Sequence, residues 1–168
     1  MKMKYVVAFG SNLGDREKNI KDAVSALDRT VGTKVLQVSA IYETEPIDCT
    51  DDLSYLNGCL VAESSFSPNE MLGILLGIES AMGRERPYFN APRIIDMDLI
   101  FAFDGEKEVK VSSENLTLPH PRAMQRNFVL TPLADIFCDK NIFGVCDFSK
   151  EFSSVQDQKI EKTDIEIR

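Results

Sequence analysis

Residues Pro92 to Phe101 read PRIIDMDLIF. Taken two at a time, Ile95, Met97, Leu99 and Phe101 fall on one side and Asp96 and Asp98 on the other, the pattern of a half-buried β-strand. Carboxylates at i and i+2 of a strand lie roughly 6 to 7 Å apart along the chain, so both can reach one divalent ion or two adjacent ones. Both offer hard oxygen, which suits Mg²⁺ rather than zinc, and Mg²⁺ held by only two carboxylates keeps positions for water and phosphate oxygens. Alternating polar residues are also what the wet face of any strand looks like. The surroundings favour the metal: Arg93 lies just before the Asp-X-Asp pair, Arg84 and Arg86 a few residues earlier, and Arg122 and Arg126 follow it.

Charge supports a local phosphate site on an acidic protein. The net charge is −8, which argues against general nucleic-acid binding. Five of the eight arginines fall between positions 84 and 126, against two of the eleven lysines. Arginine's planar fork is the better device for oriented binding of phosphate oxygens. At 168 residues, 43% hydrophobic and 27% charged, the chain has the composition of a single globular domain spanning 1–168. No run approaches eighteen apolar residues, and MKMKYVVAFGSN enters a strand-like stretch without a signal-peptide layout, so a cytoplasmic protein without membrane contact is expected. Cys49, Cys59, Cys138 and Cys146 form no CxxC pair and read as reduced packing residues.

Outward from the Asp-X-Asp strand, Lys4 to Phe9 read as a first strand ended by Gly10-Ser11-Asn12. Asp15 then reads as an N-cap, and Ile20, Ala23, Val24, Leu27 and Val31 recur with helical spacing up to Gly32. Lys34 to Tyr42 is β-rich, and a loop runs through Pro46, Asp48, Asp51 and Asp52. Tyr55 to Glu63 reads as a strand whose inward face the pattern leaves open. Ser67-Pro68-Asn69-Glu70 carries an N-cap serine, a proline at the first helical position and a glutamate three after the cap. The helix it starts has Met71, Ile74, Leu75, Ile78 and Met82 on one stripe and stops at Gly83. Arg84 to Ala91 reads as a loop and Asp104-Gly105 as a turn. Ala123 to Phe137 reads as mostly helical with a break at Thr131-Pro132. The polar tail, 147–168, has helical spacing in Phe148, Phe152 and Val155 and strand spacing in Ile165 and Ile167. It is expected to be partly docked and points to no function.

The order is strand, helix, two strands, helix, strand, then an α-rich end. This predicts an α+β fold: a ferredoxin-like antiparallel sheet with helices packed on one face. A parallel βαβ arrangement fits less well, because the second and third strands are joined without room for a crossover helix.

Four pieces stand in order along residues 5 to 137: GSNLGD, Tyr55-Leu56-Asn57, PRIIDMDLIF and LPHPRAMQRNFVLTPLADI. Together they resemble the 6-hydroxymethyl-7,8-dihydropterin pyrophosphokinases of folate biosynthesis. The resemblance implies transfer of pyrophosphate from ATP to the pterin's hydroxymethyl oxygen, with release of AMP. Neither GxxxxGK[ST] nor the protein-kinase motif set is present.

Carried over residue by residue, the resemblance makes Asp96 and Asp98 the ligands of two Mg²⁺ ions bridging the ATP phosphates, with Arg84 and Arg93 beside them as catalytic residues. Glu79, Arg84, Arg86, Arg93, Leu99, Thr117, His120 and Arg126 match the nucleotide site, Glu79 at the exposed side of its helix end. Thr44, Pro46, Tyr55, Asn57 and Phe128 match the pterin pocket, and a flat ring with polar edges does need aromatic faces and an amide. His120, between two prolines, reads by itself as structural; the resemblance puts it at the ATP phosphates, donating to developing charge. The implied partners are two small molecules, ATP and the pterin, with a monomer or weak homodimer as the assembly.

The chain departs from some members at Asn90-Ala91-Pro92-Arg93, where they carry Trp-Gly-Pro-Arg, and the loop is about one residue shorter. Tyr88 or Phe89 would then serve as the lid aromatic. Asn115 and Pro121 stand where some members have a basic and an aromatic residue. Two other functions use part of the same residues. One is an Mg²⁺-dependent transferase acting on a different acceptor, which would not need Tyr55, Asn57 and Phe128. The other is a silent ligand-sensing module, which would leave the carboxylates and arginines without a task.

Overall fold

The computed structural model describes residues 2–44, 54–83 and 93–167. In chain order the elements are β1 (Met3–Ser11), α1 (Arg16–Arg29), β2 (Thr33–Val38), β3 (Tyr42–Thr44), β4 (Tyr55–Ser64), α2 (Pro68–Ala81) and β5 (Asp96–Asp104). Short strands β6 (Lys107–Glu108), β7 (Val111–Ser112) and β8 (Thr117–Leu118) follow, then a 3₁₀ turn (Ala123–Gln125) and α3 (Asn127–Ile136). The chain ends in β9 (Asn141–Ile142), β10 (Cys146–Asp147), α4 (Ser149–Ser154) and β11 (Ile160–Lys162).

The main sheet runs β11-β3-β4-β1-β5-β6, with β2 also paired to β4. All of its pairings are antiparallel. With β2 and β3 counted as one interrupted strand, the βαββαβ core has the order second, third, first, fourth, the ferredoxin-like arrangement that the element order predicts. β1 does not end at Gly10. It continues through Ser11, because Gly10 and Ser11 pair with Asn57 and Leu56 on β4.

The helix termini follow their capping residues. The Asp15 side chain accepts the Lys18 N–H at 3.1 Å, and Ser67 accepts the Glu70 N–H at 3.3 Å while its hydroxyl donates to the Glu70 carboxylate at 2.9 Å. Gly32 and Gly83, just past α1 and α2, sit at φ +87° and +81°, conformations that a β-carbon disfavours. Ile20, Ala23, Val24 and Leu27 form the buried stripe of α1. Val31 does not join them. It is 89% exposed, because the helix has already ended at Thr30 and the helical period no longer applies to it.

Helices cover both faces of the sheet, not one. α1 and α2 pack on a core with Val7, Phe9, Leu60, Met97 and Leu99, while α3, Phe148 and Val155 pack on a second core with Val6, Ala8, Cys59, Val61 and Phe101. β4 is therefore buried on both sides, which is why its alternation did not reveal an inward face. In β5 the alternation breaks once. Val6 opposes Phe101 and Val7 opposes Leu99, so Ile100 is an extra residue, a β-bulge that turns Phe101 and Phe103 onto the face of Asp96 and Asp98.

The helical break falls at Arg126, between the 3₁₀ turn and α3; Pro132 lies inside α3, where it gives up one backbone hydrogen bond. The tail is docked along its length: Phe148, Val155 and Ile167 are buried, and β11 adds a strand beside β3. Cys59 is buried as expected, Cys138 is exposed, and both are free thiols along with Cys146. No helix among the described residues is long and apolar enough to cross a membrane.

Phe148 is fully buried in the second core. Phe148→Ala should cost about 3–5 kcal/mol, read by denaturant unfolding as a lower midpoint; a change under about 1 kcal/mol would mean that the tail is not part of the cooperative unit.

Candidate functional site

At one end of the sheet, on the face that α3 covers, three strands bring a row of residues together. Gly10 of β1 is paired on one side with Asn57 of β4 and on the other with Asp96 of β5. Paired residues of neighbouring strands point the same way, so Asn57 and Asp96 flank the glycine on one face, about 10 Å apart by the spacing of strands. A β-carbon on Gly10 would come within 2.7 Å of Asn57 Oδ1; glycine is there because the amide occupies its side-chain space. One step along β1, Ala8 pairs with Cys59 and Asp98, which puts Asp98 beside Asp96 with only small residues opposite. Both aspartates are half-buried.

Asn57 is fixed by Thr44, whose hydroxyl accepts its Nδ2–H at 2.7 Å, and both side chains are buried. Tyr55 pairs with Thr44 on the same face. Two neighbours hold the flanking elements. The Tyr42 hydroxyl reaches both oxygens of Asp135 on α3, at 2.9 and 2.8 Å, and Arg16 of α1 bridges Glu43 at 2.7 Å and Ser54 at 3.1 Å.

Arg93 donates from Nη1 to Asp96 at 3.0 Å. Its backbone is held by Asn12, which is 2% exposed: Asn12 Oδ1 accepts the Arg93 N–H at 2.6 Å and the Asn12 N–H donates to the Arg93 carbonyl at 3.1 Å. Arg93 Nε is buried and has no hydrogen-bond partner among the described residues. A guanidinium with one edge on a carboxylate and a buried donor left over is arranged to receive an anion.

His120 is fastened to the outer edge of β5, its N–H donating to the Ile100 carbonyl at 2.9 Å, while its Nδ1 accepts the Arg122 N–H at 3.2 Å. Burial lowers its pKa below the ordinary 6.5; the charges of Arg126 and Arg122 lower it further, and Asp96 opposes them. The imidazole is therefore neutral at pH 7, with Nε2–H as its donor. Arg126 lies over the ring of Phe128, 5.5 Å from its centroid, and both are partly exposed at the start of α3.

Of the residues singled out from sequence, Asn57, Thr44, Tyr55, Arg93, Asp96 and Asp98 share this end of the sheet, and the charges of Arg126 and Asp96 both act on His120. Thr117 is exposed on β8, two residues before the Pro119 that precedes His120. Leu99 packs with α1 and α2 on the opposite face, so only its backbone is available to a ligand on the aspartate face. Glu79 is not on an exposed side. It is 2% exposed, on the same buried stripe as Met71, Leu75 and Ile78. Pro46, Arg84, Arg86 and the two lid candidates, Tyr88 and Phe89, lie outside the described residues. Gly10 and Asn12 were not singled out, since GSN reads equally as a turn; their function depends on pairings with residues 47 and 81 positions away.

Asp96 and Asp98 suit a hard dication: two oxygen donors facing one way, flanked by Gly10 and Ala8, with the buried Arg93 Nε beside them for an anion that the cation would carry. Among the described residues no group of three or more His, Cys, Asp or Glu side chains is placed to hold a metal. The described donor set is the carboxylate pair, and a cation there completes its shell with water or phosphate.

Residues 6–138 match the family model described as 7,8-dihydro-6-hydroxymethylpterin-pyrophosphokinase. A 2-amino-4-hydroxy-6-hydroxymethyldihydropteridine pyrophosphokinase of Bacillus subtilis is 39% identical over 130 residues, 77% of this chain and 75% of the relative. The folic acid synthesis protein fol1 of Schizosaccharomyces pombe is 42% identical over 127 residues, and there the match covers 76% of this chain but only 17% of the longer protein. A solved Plasmodium falciparum HPPK-DHPS superimposes with a TM-score of 0.61 at 16% identity, over 92% of this chain and 41% of that one. The last likeness shows the fold.

His120 is the only histidine in the chain, so its titration can be isolated. Its folded pKa is depressed, so above the unfolded value of 6.5 the neutral form costs nothing. Below it the unfolded chain takes up the proton first and stability falls with pH until the folded pKa is reached. The difference in unfolding free energy between His120→Gln and the parent should therefore shift in favour of the variant from pH 7 down to about 5. A flat difference would place His120 in water.

Proposed function

This chain belongs to the 7,8-dihydro-6-hydroxymethylpterin-pyrophosphokinase family, and from that premise we propose how its residues divide the work. It is an ATP-dependent pyrophosphokinase of folate biosynthesis. The hydroxymethyl oxygen of the pterin attacks the β-phosphorus of ATP, the bond from that phosphorus to the oxygen bridging it to the α-phosphate breaks, and AMP leaves with that oxygen. The hydroxyl proton is lost to solvent or to phosphate.

The observation that carries the assignment is the row Asn57–Gly10–Asp96. It sets an amide able to donate and accept on one side of a glycine and a cation-binding carboxylate on the other, and one flat substrate can bridge them. Asn57, held by Thr44, reads the polar edge of the pterin, and Tyr55 and Phe128 offer aromatic faces, with Pro46 at the same pocket. Two Mg²⁺ ions held by Asp96 and Asp98 would neutralise phosphate charge and align the attacking and leaving oxygens. Arg93 holds a phosphate oxygen through its buried Nε, positioned by Asn12 and by the bond to Asp96. Arg84, Arg86 and Arg126 complete the clamp, with Thr117 and the backbone of Leu99 beside the nucleotide, while the buried Glu79 acts only from beneath, as part of the α2 stripe. Neutral His120 donates to the transferring group without adding a charge that must be desolvated.

The test is to incubate the protein with ATP, Mg²⁺ and 6-hydroxymethyl-7,8-dihydropterin and identify the nucleotide released. AMP dependent on pterin is expected; ADP would keep the site but change the reaction. Asp98→Ala should lose turnover and keep its melting temperature, since a half-buried carboxylate contributes little to packing, and normal turnover would remove the metal assignment. His120→Ala should slow the reaction about 10²-fold, whereas a normal rate with a lower melting temperature would make the histidine structural.

A further inference from the structure

The family match ends at residue 138, and the thirty residues after it carry no assigned role. Beyond the bonds they make among themselves, their hydrogen bonds to the body of the protein fall mainly at two places. The first is the start of α3. Arg126, at the N-cap of α3, makes no side-chain capping bond, so the first amide of the helix needs an acceptor from elsewhere. Gln158 supplies it: its Oε1 accepts the Asn127 N–H at 2.9 Å, its carbonyl accepts the Asn127 Nδ2–H at 2.7 Å, and its Nε2 donates to the Gln125 carbonyl at 3.0 Å. Gln156 adds a bond from Nε2 to Asn127 Oδ1 at 3.1 Å, and Thr131 donates to the same oxygen at 2.5 Å. Asn127 is buried and lies between Arg126 and Phe128.

The second place is β3. Two residues beyond Gln158, the tail becomes β11, with Ile160 paired to Thr44 and Lys162 to Tyr42, and the Thr163 N–H donates to the Ile41 carbonyl at 2.9 Å. A stretch of eight residues, 156–163, is thus bonded to both the helix start that carries Arg126 and Phe128 and the strand that carries Thr44.

We propose that residues 156–163 are a strap holding the two walls of the substrate pocket at a fixed separation, and that Gln158 is its positioning residue. The side chain acts on substrate through Asn127, by keeping the first turn of α3 wound. This rests on the reading above, in which Phe128 and Thr44 serve the pterin and Arg126 the nucleotide. Loss of the cap lets that turn fray and moves Phe128 and Arg126 without touching the carboxylates that serve the chemical step.

The variants Gln158→Ala, Gln158→Glu and Ile167→Ala separate this from a general loss of stability. Gln158→Ala should raise KM for the pterin, and to a smaller degree for ATP, about 3- to 10-fold, with kcat within about twofold. Gln158→Glu keeps the acceptor for Asn127 N–H but replaces the donor to the Gln125 carbonyl with a carboxylate oxygen, so its KM should lie between those of the parent and Gln158→Ala. Ile167→Ala cuts a buried anchor beyond the strap, so it should lower the melting temperature and leave KM alone. An unchanged KM in Gln158→Ala, or an equal rise in Ile167→Ala, overturns the proposal. If the parent protein releases no AMP with pterin, the pocket assignment fails by itself. Amide exchange then judges the strap: faster exchange at Asn127 and Phe128 in Gln158→Ala upholds it, and unchanged exchange refutes it.

Discussion

Everything at the site depends on how the α3 face of the sheet changes along its length. Toward one end the face is filled by Val6, Val61, Phe101 and Phe103, which pack against α3 and Phe148. Toward the other it carries Thr44, Asn57, Asp96 and Asp98, with Gly10 between them. A buried carboxylate is costly without a compensating charge or bond, and a buried aromatic is favourable, so the two ends cannot exchange. The polar end coincides with the start of β4 and β5 and the finish of β1 and β3, where the chain enters and leaves the sheet.

The bulge at Ile100 makes this division possible within one strand. In an uninterrupted β5, Asp96 and Asp98 would share their face with Ile100 and Ala102, and Phe101 and Phe103 would turn toward α1 and α2 beside Leu99. The extra residue reverses the parity, so the aspartates and both phenylalanines lie on one face while Met97, Leu99 and Ala102 serve the other. The Ile100 carbonyl then accepts the His120 N–H from the outer edge, which ties the imidazole to the strand that holds the carboxylates.

What could be read from the sequence is what neighbours in the chain decide. Ser67 and Glu70 announce α2 because a cap is a contact over three residues, and Asp96 and Asp98 share a face because the strand's own period places them so. The alternation could not show that Phe101 parts from Leu99, since a bulge is set by the register with β1. Val31 continued a helical period that the chain had already left at Thr30. Glu79 looked exposed because a glutamate near a helix end usually is, yet it stands four residues after Leu75 and eight after Met71, so the helical period had already placed it on the buried stripe. Asn12 and Gln158 are the extreme cases, as each gains its role from a partner more than thirty residues away.

The electrostatics of the site follow from the same crowding. Two carboxylates two residues apart on one face repel, and their half-buried position strengthens the repulsion over that in water. Arg93 offsets it from one side through Nη1, and its Nε has no partner among the described residues. Burial and the charges of Arg126 and Arg122 favour the neutral form of His120, so the histidine adds no further cation. Carboxylates and guanidinium groups thus stand side by side in the described part of the site, while the protein as a whole carries −8. A ligand bringing both a dication and an anionic phosphate chain can enter such a place with each charge meeting its opposite, whereas either part alone would meet an imbalance. On the proposed reading a metal–nucleotide complex would meet both halves at once, and Asn12, by fixing the Arg93 backbone, keeps the cationic half of that arrangement in register with the anionic half.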